Sequence, residues 1–165
     1  MRVVCVMVAL LTFTAVSTAQ APAAKPESNL LQVMRAILFP NSNIIFDAQN
    51  EDPGAPKKEA AEGKYGNVYG GWLAVENASL ALAESANLLM MPGRLCGNGK
   101  PVPLTRPDWI KFVAELRTAG QAAYKAAQSK NQDNIVDAAG VVTEACAACH
   151  DVYREKPNLA DRCTP

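Results

Sequence analysis

The segment between Asp133 and Pro157 constrains the fold most, because its apolar residues recur at alternating steps of four and three. This spacing places them on one face of a single α-helix. The face is formed by Ile135, Ala139, Val142, Cys146, Cys149 and Tyr153. Asp133 can cap the start of this helix, and Pro157 stops it. A helix with one apolar face needs other elements to cover that face, so the rest of the chain must supply them.

Three earlier segments show the same helical periodicity. Their apolar faces consist of Leu30, Met34, Ile37 and Leu38 in the first, of Trp72, Val75, Ser79, Leu82, Ala86 and Leu89 in the second, and of Trp109, Phe112, Leu116, Gly120, Ala123 and Ala127 in the third. Breaks at 47–64, 92–103 and 129–132 separate the four segments. The sequence therefore predicts an all-α fold, an antiparallel up-down four-helix bundle over residues 29–165.

Prolines and polar residues predict where two of these helices begin or end. Pro40 should end or kink the first helix at Phe39, because proline lacks the backbone N–H that a helix interior needs. Thr105 is the predicted N-cap of the third helix, with Pro107 in its first turn and Asp108 three residues after the cap.

The N-terminus has the pattern of a secretory signal peptide. Arg2 supplies a positive charge, residues 3–15 form a nearly unbroken apolar run, and small residues follow up to Ala19. We expect residues 1–19 to be a cleaved signal peptide and residues 20–28 to be a flexible segment. The apolar run is too short to span a membrane comfortably, so no membrane anchor is expected. The chain carries 16 basic and 16 acidic residues and no basic stripe, so nucleic acid is not an expected partner.

The stretch "CAACH" at 146–150 brings two cysteines together with the only histidine of the chain. C-x-x-C-H is the signature of c-type haem attachment. Cys146 and Cys149 lie three residues apart on a helix, so both thiols project from one face and each can form a thioether bond with a haem vinyl group. His150 follows directly and can bind the iron as the proximal ligand. The motif therefore predicts one covalently attached haem c.

Two other chemistries use cysteines at this spacing. A redox-active disulfide between Cys146 and Cys149 is one, but reactive pairs of this kind usually lie at a helix N-terminus, and these cysteines lie past the middle of their helix. A zinc site is the other, and it would need a fourth ligand from Cys96 or Cys163. The predicted signal peptide favours haem, because c-type cytochromes acquire their haem outside the cytoplasm.

A C-x-x-C-H motif near the end of a fourth helix, followed by Val152, Tyr153 and Arg154, resembles the class II cytochromes c, the cytochrome c′ type. The resemblance implies a periplasmic, haem-binding, electron-transfer four-helix bundle. In low-spin members a methionine of the first helix closes the sixth iron position, and Met34 matches it, with core packing as the alternative. Members with an open sixth position bind NO or CO. Arg154 matches a basic residue that can lie near the haem propionates, with an ordinary surface charge as the alternative.

An up-down path places three parts of the chain at one end of the bundle, namely the start of helix one, the connection between helices two and three, and the end of helix four. The haem belongs at this end, where Met34 is the candidate sixth ligand and Met90 and Met91 are expected to pack. Cys96 and Cys163 also fall there. We predict a disulfide between them that pins the C-terminal tail over this end, with two free thiols as the alternative.

The expected function is that of a secreted, periplasmic monohaem c-type cytochrome. Such a protein carries single electrons and is not an enzyme. Its redox partner protein is not identified by the sequence, and a homodimer is left open. The competing function is that of a gas-binding or sensing haem protein with an open sixth iron position.

Overall fold

The computed structural model describes residues 25–55 and 69–165, and within these ranges the protein is all-α. The predicted signal peptide and residues 20–24 lie outside the described residues. Three long helices have simple bounds, α2 at Trp72–Leu89, α3 at Pro107–Gln128 and α4 at Gln132–Tyr153. The first helical segment, α1, is a continuous run of an α-helical turn at Leu30–Val33, a π-helical stretch at Met34–Leu38 and an α-helix at Phe39–Asp47.

The sequence predicted that Pro40 ends or kinks the first helix. The helix does not end there, because the π-helical stretch before Pro40 accommodates the proline. The Phe39 N–H donates to the carbonyl of Met34, five residues back, which widens the turn that precedes the pyrrolidine ring. The side-chain amide of Asn41 donates to the carbonyl of Ile37 at 2.7 Å. The helix therefore continues through Pro40 to Asp47.

Two predicted caps were wrong by one or two positions. Helix α4 begins at Gln132, and its cap is Asn131, whose side chain accepts from the Asn134 N–H at 3.0 Å. Asp133 instead lies in the first turn, where its charge complements the helix dipole. In α3 the N-cap position is Arg106 rather than Thr105, and Asp108 accepts from the N–H of Trp109.

The predicted apolar faces of α2, α3 and α4 are buried or half-buried along their lengths. The order of the contacts along α2 and α3 shows that these two helices run in opposite directions. Arg117 of α3 donates to Asn87 near the end of α2, whereas Gly120 lies against Ala83, one turn earlier on α2. The Ala48 carbonyl at the end of α1 accepts from Gln132 at the start of α4. Helix α2 is therefore antiparallel to α3, and the end of α1 lies beside the start of α4.

The three parts of the chain that the sequence placed at one end do lie together. The Leu30 N–H donates to the carbonyl of Leu95, which joins the start of α1 to the connection between α2 and α3. Cys96 and Cys163 form the predicted disulfide, which bridges 67 residues with a Cα–Cα distance of 6.3 Å. The tail after α4 is thereby tied to the same connection.

No helix within the described ranges is both long enough and apolar enough to cross a membrane.

The close packing of α2 and α3 at Gly120 can be tested by its effect on stability. A methyl group at Gly120 would lie 2.7 Å from the backbone N of Ala83. We expect Gly120→Ala to lower the free energy of unfolding by about 1–2 kcal/mol, because the steric cost exceeds the gain of about 1 kcal/mol in helix propensity. Urea unfolding followed by circular dichroism measures this change.

Gly140 is the matched control, because it also lies within a helix but nothing lies within 4 Å of a Cβ added there. Gly140→Ala should raise the free energy of unfolding by about 0.5–1 kcal/mol. Equal, stabilising effects of the two substitutions would contradict the close packing of α2 on α3.

Candidate functional site

A cavity of about 990 Å³ lies at the end of the fold where the disulfide is located. It is partly open to solvent and is lined by residues of all four helices, of the connection between α2 and α3, and of the C-terminal tail. All five residues that the sequence singled out for the site line this cavity, namely Met34, Cys146, Cys149, His150 and Arg154. Its volume is at the upper end of the range of about 300–1,000 Å³ that small-molecule and cofactor sites occupy. The predicted site residues are thus brought together around one space large enough for a cofactor.

Helix α1 lines the cavity with a row of residues spaced four apart, which are Leu30, Met34, Leu38, Ser42 and Phe46. On a regular α-helix each step of four residues would turn the row by about 40°, so it would wind away from the cavity. The π-helical stretch Met34–Leu38 has a wider turn, which reduces this winding. The irregularity before Pro40 therefore keeps a long face of α1, including Met34, directed at the cavity.

Helix α4 contributes Cys146, Cys149 and His150 from its last two turns. Both thiols are free and half-buried. Burial raises the pKa of Cys146, and burial together with the nearby Cys146 raises the pKa of Cys149 to about 12. Burial, assisted by the Arg154 charge, lowers the pKa of His150. At neutral pH the cavity therefore holds two protonated thiols and a neutral imidazole.

These features bear on the two alternative uses of the cysteines. A redox-active cysteine needs a lowered thiol pKa, whereas both thiols here have raised pKa values and lie more than three turns from the start of α4. A zinc site would need Cys96 or Cys163 as its fourth ligand, and these two are bonded to each other. In residues 25–55 and 69–165, three or more histidine, cysteine or acidic side chains do not cluster as metal ligands.

A hydrogen-bonded network that the sequence did not predict supports the α4 side of the cavity. Tyr153 is buried, and its hydroxyl donates to Asp108 at 2.9 Å. Arg106 donates to both carboxylate oxygens of Asp108 at 3.0 Å and to the Tyr153 hydroxyl at 3.2 Å. The Tyr153 ring packs edge-on against Trp109, with ring centroids 5.1 Å apart. This network fixes the end of α4, three residues after His150, to the start of α3.

Three arginines line the cavity, in different environments. Arg154, the one that the sequence proposed, forms an ion pair with Glu155 at 2.5 Å, and both side chains are more than half exposed. Arg35 is exposed on α1. Arg162 lies in the tail, and its Nε is buried without a hydrogen-bond partner among the described residues. An unsatisfied buried donor of this kind costs about 1–3 kcal/mol.

The sequence carried no signal for Arg162, because it lies outside every periodic segment. Only its position next to Cys163, within the predicted disulfide, could have drawn attention to it.

The residues present fit a large, mostly apolar cofactor with anionic groups. Two apolar side chains of the lining, Phe39 and Leu159, are each 65% exposed to solvent, which favours an apolar ligand that would cover them. The arginines at the same cavity suit carboxylates. The free thiols and the neutral imidazole suit thioether attachment and iron coordination.

Comparisons of the chain with protein-family models, with curated proteins and with solved structures found no match.

The ion pair at Asp108 generates a pH prediction. Hydrogen bonds from Arg106, and then from Tyr153, hold the pKa of Asp108 at about 2, below its ordinary value of 3.8. A carboxyl with a lowered pKa in the folded protein stabilises the fold above the unfolded pKa, and this stabilisation disappears as the pH falls through the folded pKa. The destabilisation caused by Asp108→Asn should therefore be full above about pH 4 and should vanish toward about pH 2. Urea unfolding across this range measures it.

Asp137→Asn is the control, because Asp137 is exposed on α4 and makes no hydrogen bond through its side chain to any described residue. It provides the reference against which the pH dependence of Asp108→Asn is compared. A destabilisation by Asp108→Asn that stayed constant down to about pH 2 would contradict the assigned network.

Proposed function

We propose that this protein is a periplasmic monohaem c-type cytochrome, built as an antiparallel up-down four-helix bundle, that carries single electrons. The observation that carries this proposal is that one cavity of about 990 Å³ is lined by Cys146, Cys149 and His150, the three residues of the C-x-x-C-H motif. The antiparallel contacts between α2 and α3 support the bundle. The resemblance of the motif region to the class II cytochromes c supports the same function.

The thiols of Cys146 and Cys149 would attach the haem. Each S–H would add across one vinyl double bond, so that the sulfur bonds to one vinyl carbon and the proton goes to the other. Both cysteines lie on the cavity side of α4 and are free for this reaction. Two covalent links hold a cofactor that the surrounding residues enclose only in part.

His150 would bind the iron as the proximal ligand. Metal coordination requires a neutral imidazole, and burial lowers the pKa of His150 in this direction. None of the described residues donates a hydrogen bond to the His150 ring, so the ring is available for coordination. Its helix end is fixed by the bond between Tyr153 and Asp108.

Met34 would be the sixth ligand. It is half-buried and lines the same cavity from α1, where the π-helical stretch begins. A thioether ligand raises the reduction potential of haem iron. When it is bound, the haem supplies a centre that accepts and releases one electron, so the protein needs no bond-making chemistry on a substrate.

An unidentified redox partner protein is the expected source and destination of the electron. The cavity wall includes side chains that reach solvent, such as Phe39 and Leu159, so a partner can approach the cofactor at this end of the fold. The predicted signal peptide supports the periplasm as the location, where haem attachment of this type takes place.

The visible absorption spectrum tests the function and the sixth ligand together. Wild-type protein made in a host with c-type haem-maturation machinery should give a low-spin spectrum in both oxidation states. Met34→Ala should convert the iron to high spin, because the substitution removes the thioether. Met90→Ala should leave the iron low-spin, since Met90 packs against the core and does not line the cavity.

A wild-type spectrum that is already high-spin and five-coordinate would contradict the electron-carrier proposal and favour gas binding at an open sixth position. A low-spin spectrum that persists in Met34→Ala would exclude Met34 as the ligand.

A further inference from the structure

Arg162 is a cation at the cavity that no described acidic residue neutralises. It follows the 3-10 turn Leu159–Asp161 and lines the same cavity as Cys146 and His150. Its Nε is buried and has no hydrogen-bond partner in residues 25–55 and 69–165. None of the ion pairs within these ranges involves its guanidinium. The Arg162 side chain as a whole is half-buried and lines the cavity, so its unpaired guanidinium is suited to an anionic partner that enters there.

The backbone on both sides of Arg162 is fixed. The side-chain amide of Asn98 donates to the carbonyl of Arg162 at 2.8 Å and to that of Ala160 at 3.1 Å. The next residue, Cys163, is bonded to Cys96, and its N–H donates to the carbonyl of Tyr153 at 2.8 Å. The tail segment that carries Arg162 is therefore held to the α2–α3 connection and to the end of α4. Fixing a residue in this way reduces the entropy that a ligand contact would otherwise cost.

The other two arginines of the cavity differ from Arg162 in ways that matter for ligand binding. Arg154 already has a carboxylate partner in Glu155. Arg35 is exposed, so water solvates its charge. Only Arg162, of the three, combines an unpartnered buried donor with a fixed backbone. The sequence-based assignment of Arg154 to the haem propionates therefore has a stronger competitor.

We propose that the Arg162 guanidinium binds a carboxylate of the ligand in this cavity, a propionate of the haem, and that the Cys96–Cys163 disulfide holds Arg162 in place for this contact. The inference rests on the proposed function, because it takes haem as the ligand. Guanidinium and carboxylate groups pair through two parallel N–H···O bonds, which fix orientation as well as charge. The tail after α4 thus becomes part of the cofactor site rather than a passive extension.

The test uses the haem-loaded protein and two readouts, the resonance Raman bands of propionate bending and the midpoint potential. Arg162→Gln should shift one propionate band, because it removes the paired hydrogen bonds. It should also lower the potential, because a cation near the haem favours the reduced, less positive state. The expected change in the ferrous-to-ferric ratio at a fixed potential is about threefold to tenfold, or roughly 30–60 mV for one electron.

Two further variants separate charge from geometry. Arg162→Lys keeps the charge but not the paired hydrogen bonds. It should shift the propionate band, while its midpoint potential should stay close to that of the wild type. Arg117→Gln is the control, because Arg117 donates to Asn87 on α2 and does not line the cavity. It should change neither readout.

The disulfide is tested by the double variant Cys96→Ser, Cys163→Ser. If the disulfide holds Arg162 in place, this variant should show the same band shift as Arg162→Gln, and adding Arg162→Gln to it should produce little further change. Wild-type propionate bands in the haem-loaded double variant would overturn the role given to the disulfide.

The outcomes distinguish this inference from the proposed function. Haem-loaded Arg162→Gln protein with the propionate bands and midpoint potential of the wild type would overturn the inference and leave the proposed function standing. A wild-type chain that acquires no haem in a competent host would overturn both.

Discussion

Helices α1 and α4 contact each other at one end of the fold and are separated by the cavity at the other, and the candidate site depends on this arrangement. At the closed end the Ala48 carbonyl accepts from Gln132. At the open end the row of α1 residues that includes Met34 faces the cavity that Cys146 and His150 line from α4. Two apolar helix faces remain apart only if the rest of the fold holds them there, because their burial against each other would be favourable.

The rigid part of the fold supplies this support. Helices α2 and α3 approach so closely at Gly120 that no side chain fits between them, and α4 packs on α3 along a buried face. The Tyr153–Asp108 hydrogen bond fixes the end of α4, and the Cys96–Cys163 disulfide fixes the tail beyond it. The groups around the cavity then have complementary chemistry, with protonated thiols, a neutral imidazole and an unpaired guanidinium in a mostly apolar surrounding. This set suits a covalently held haem with two carboxylates.

Much of the fold followed from apolar periodicity, because a stripe at helical spacing must be covered, and the stripes of α2, α3 and α4 are buried or half-buried as expected. The up-down order of helices also predicted correctly that Cys96 and Cys163 would meet. The path of α1 through Pro40 could not be predicted, since it depends on a π-helical hydrogen bond that has no sequence signature of its own.

The site itself was predictable only where a local motif carries the chemistry. Cys146, Cys149 and His150 follow from their spacing, whereas Met34 was singled out by the resemblance to the class II cytochromes c. Arg162 lies in a tail segment without periodicity. The contact between Arg106 and Tyr153 joins residues that are far apart in the sequence. Such contacts depend on how the tail and the start of α3 pack in three dimensions, which pattern analysis along the chain does not give.

The most direct test of the account is the mass of the mature chain, purified from a host that attaches haem to C-x-x-C-H motifs and measured under denaturing conditions. The measured mass should equal that of the polypeptide plus one haem, and this addition should be lost when Cys146 and Cys149 are both replaced by alanine. A wild-type mass equal to that of the polypeptide alone would contradict it.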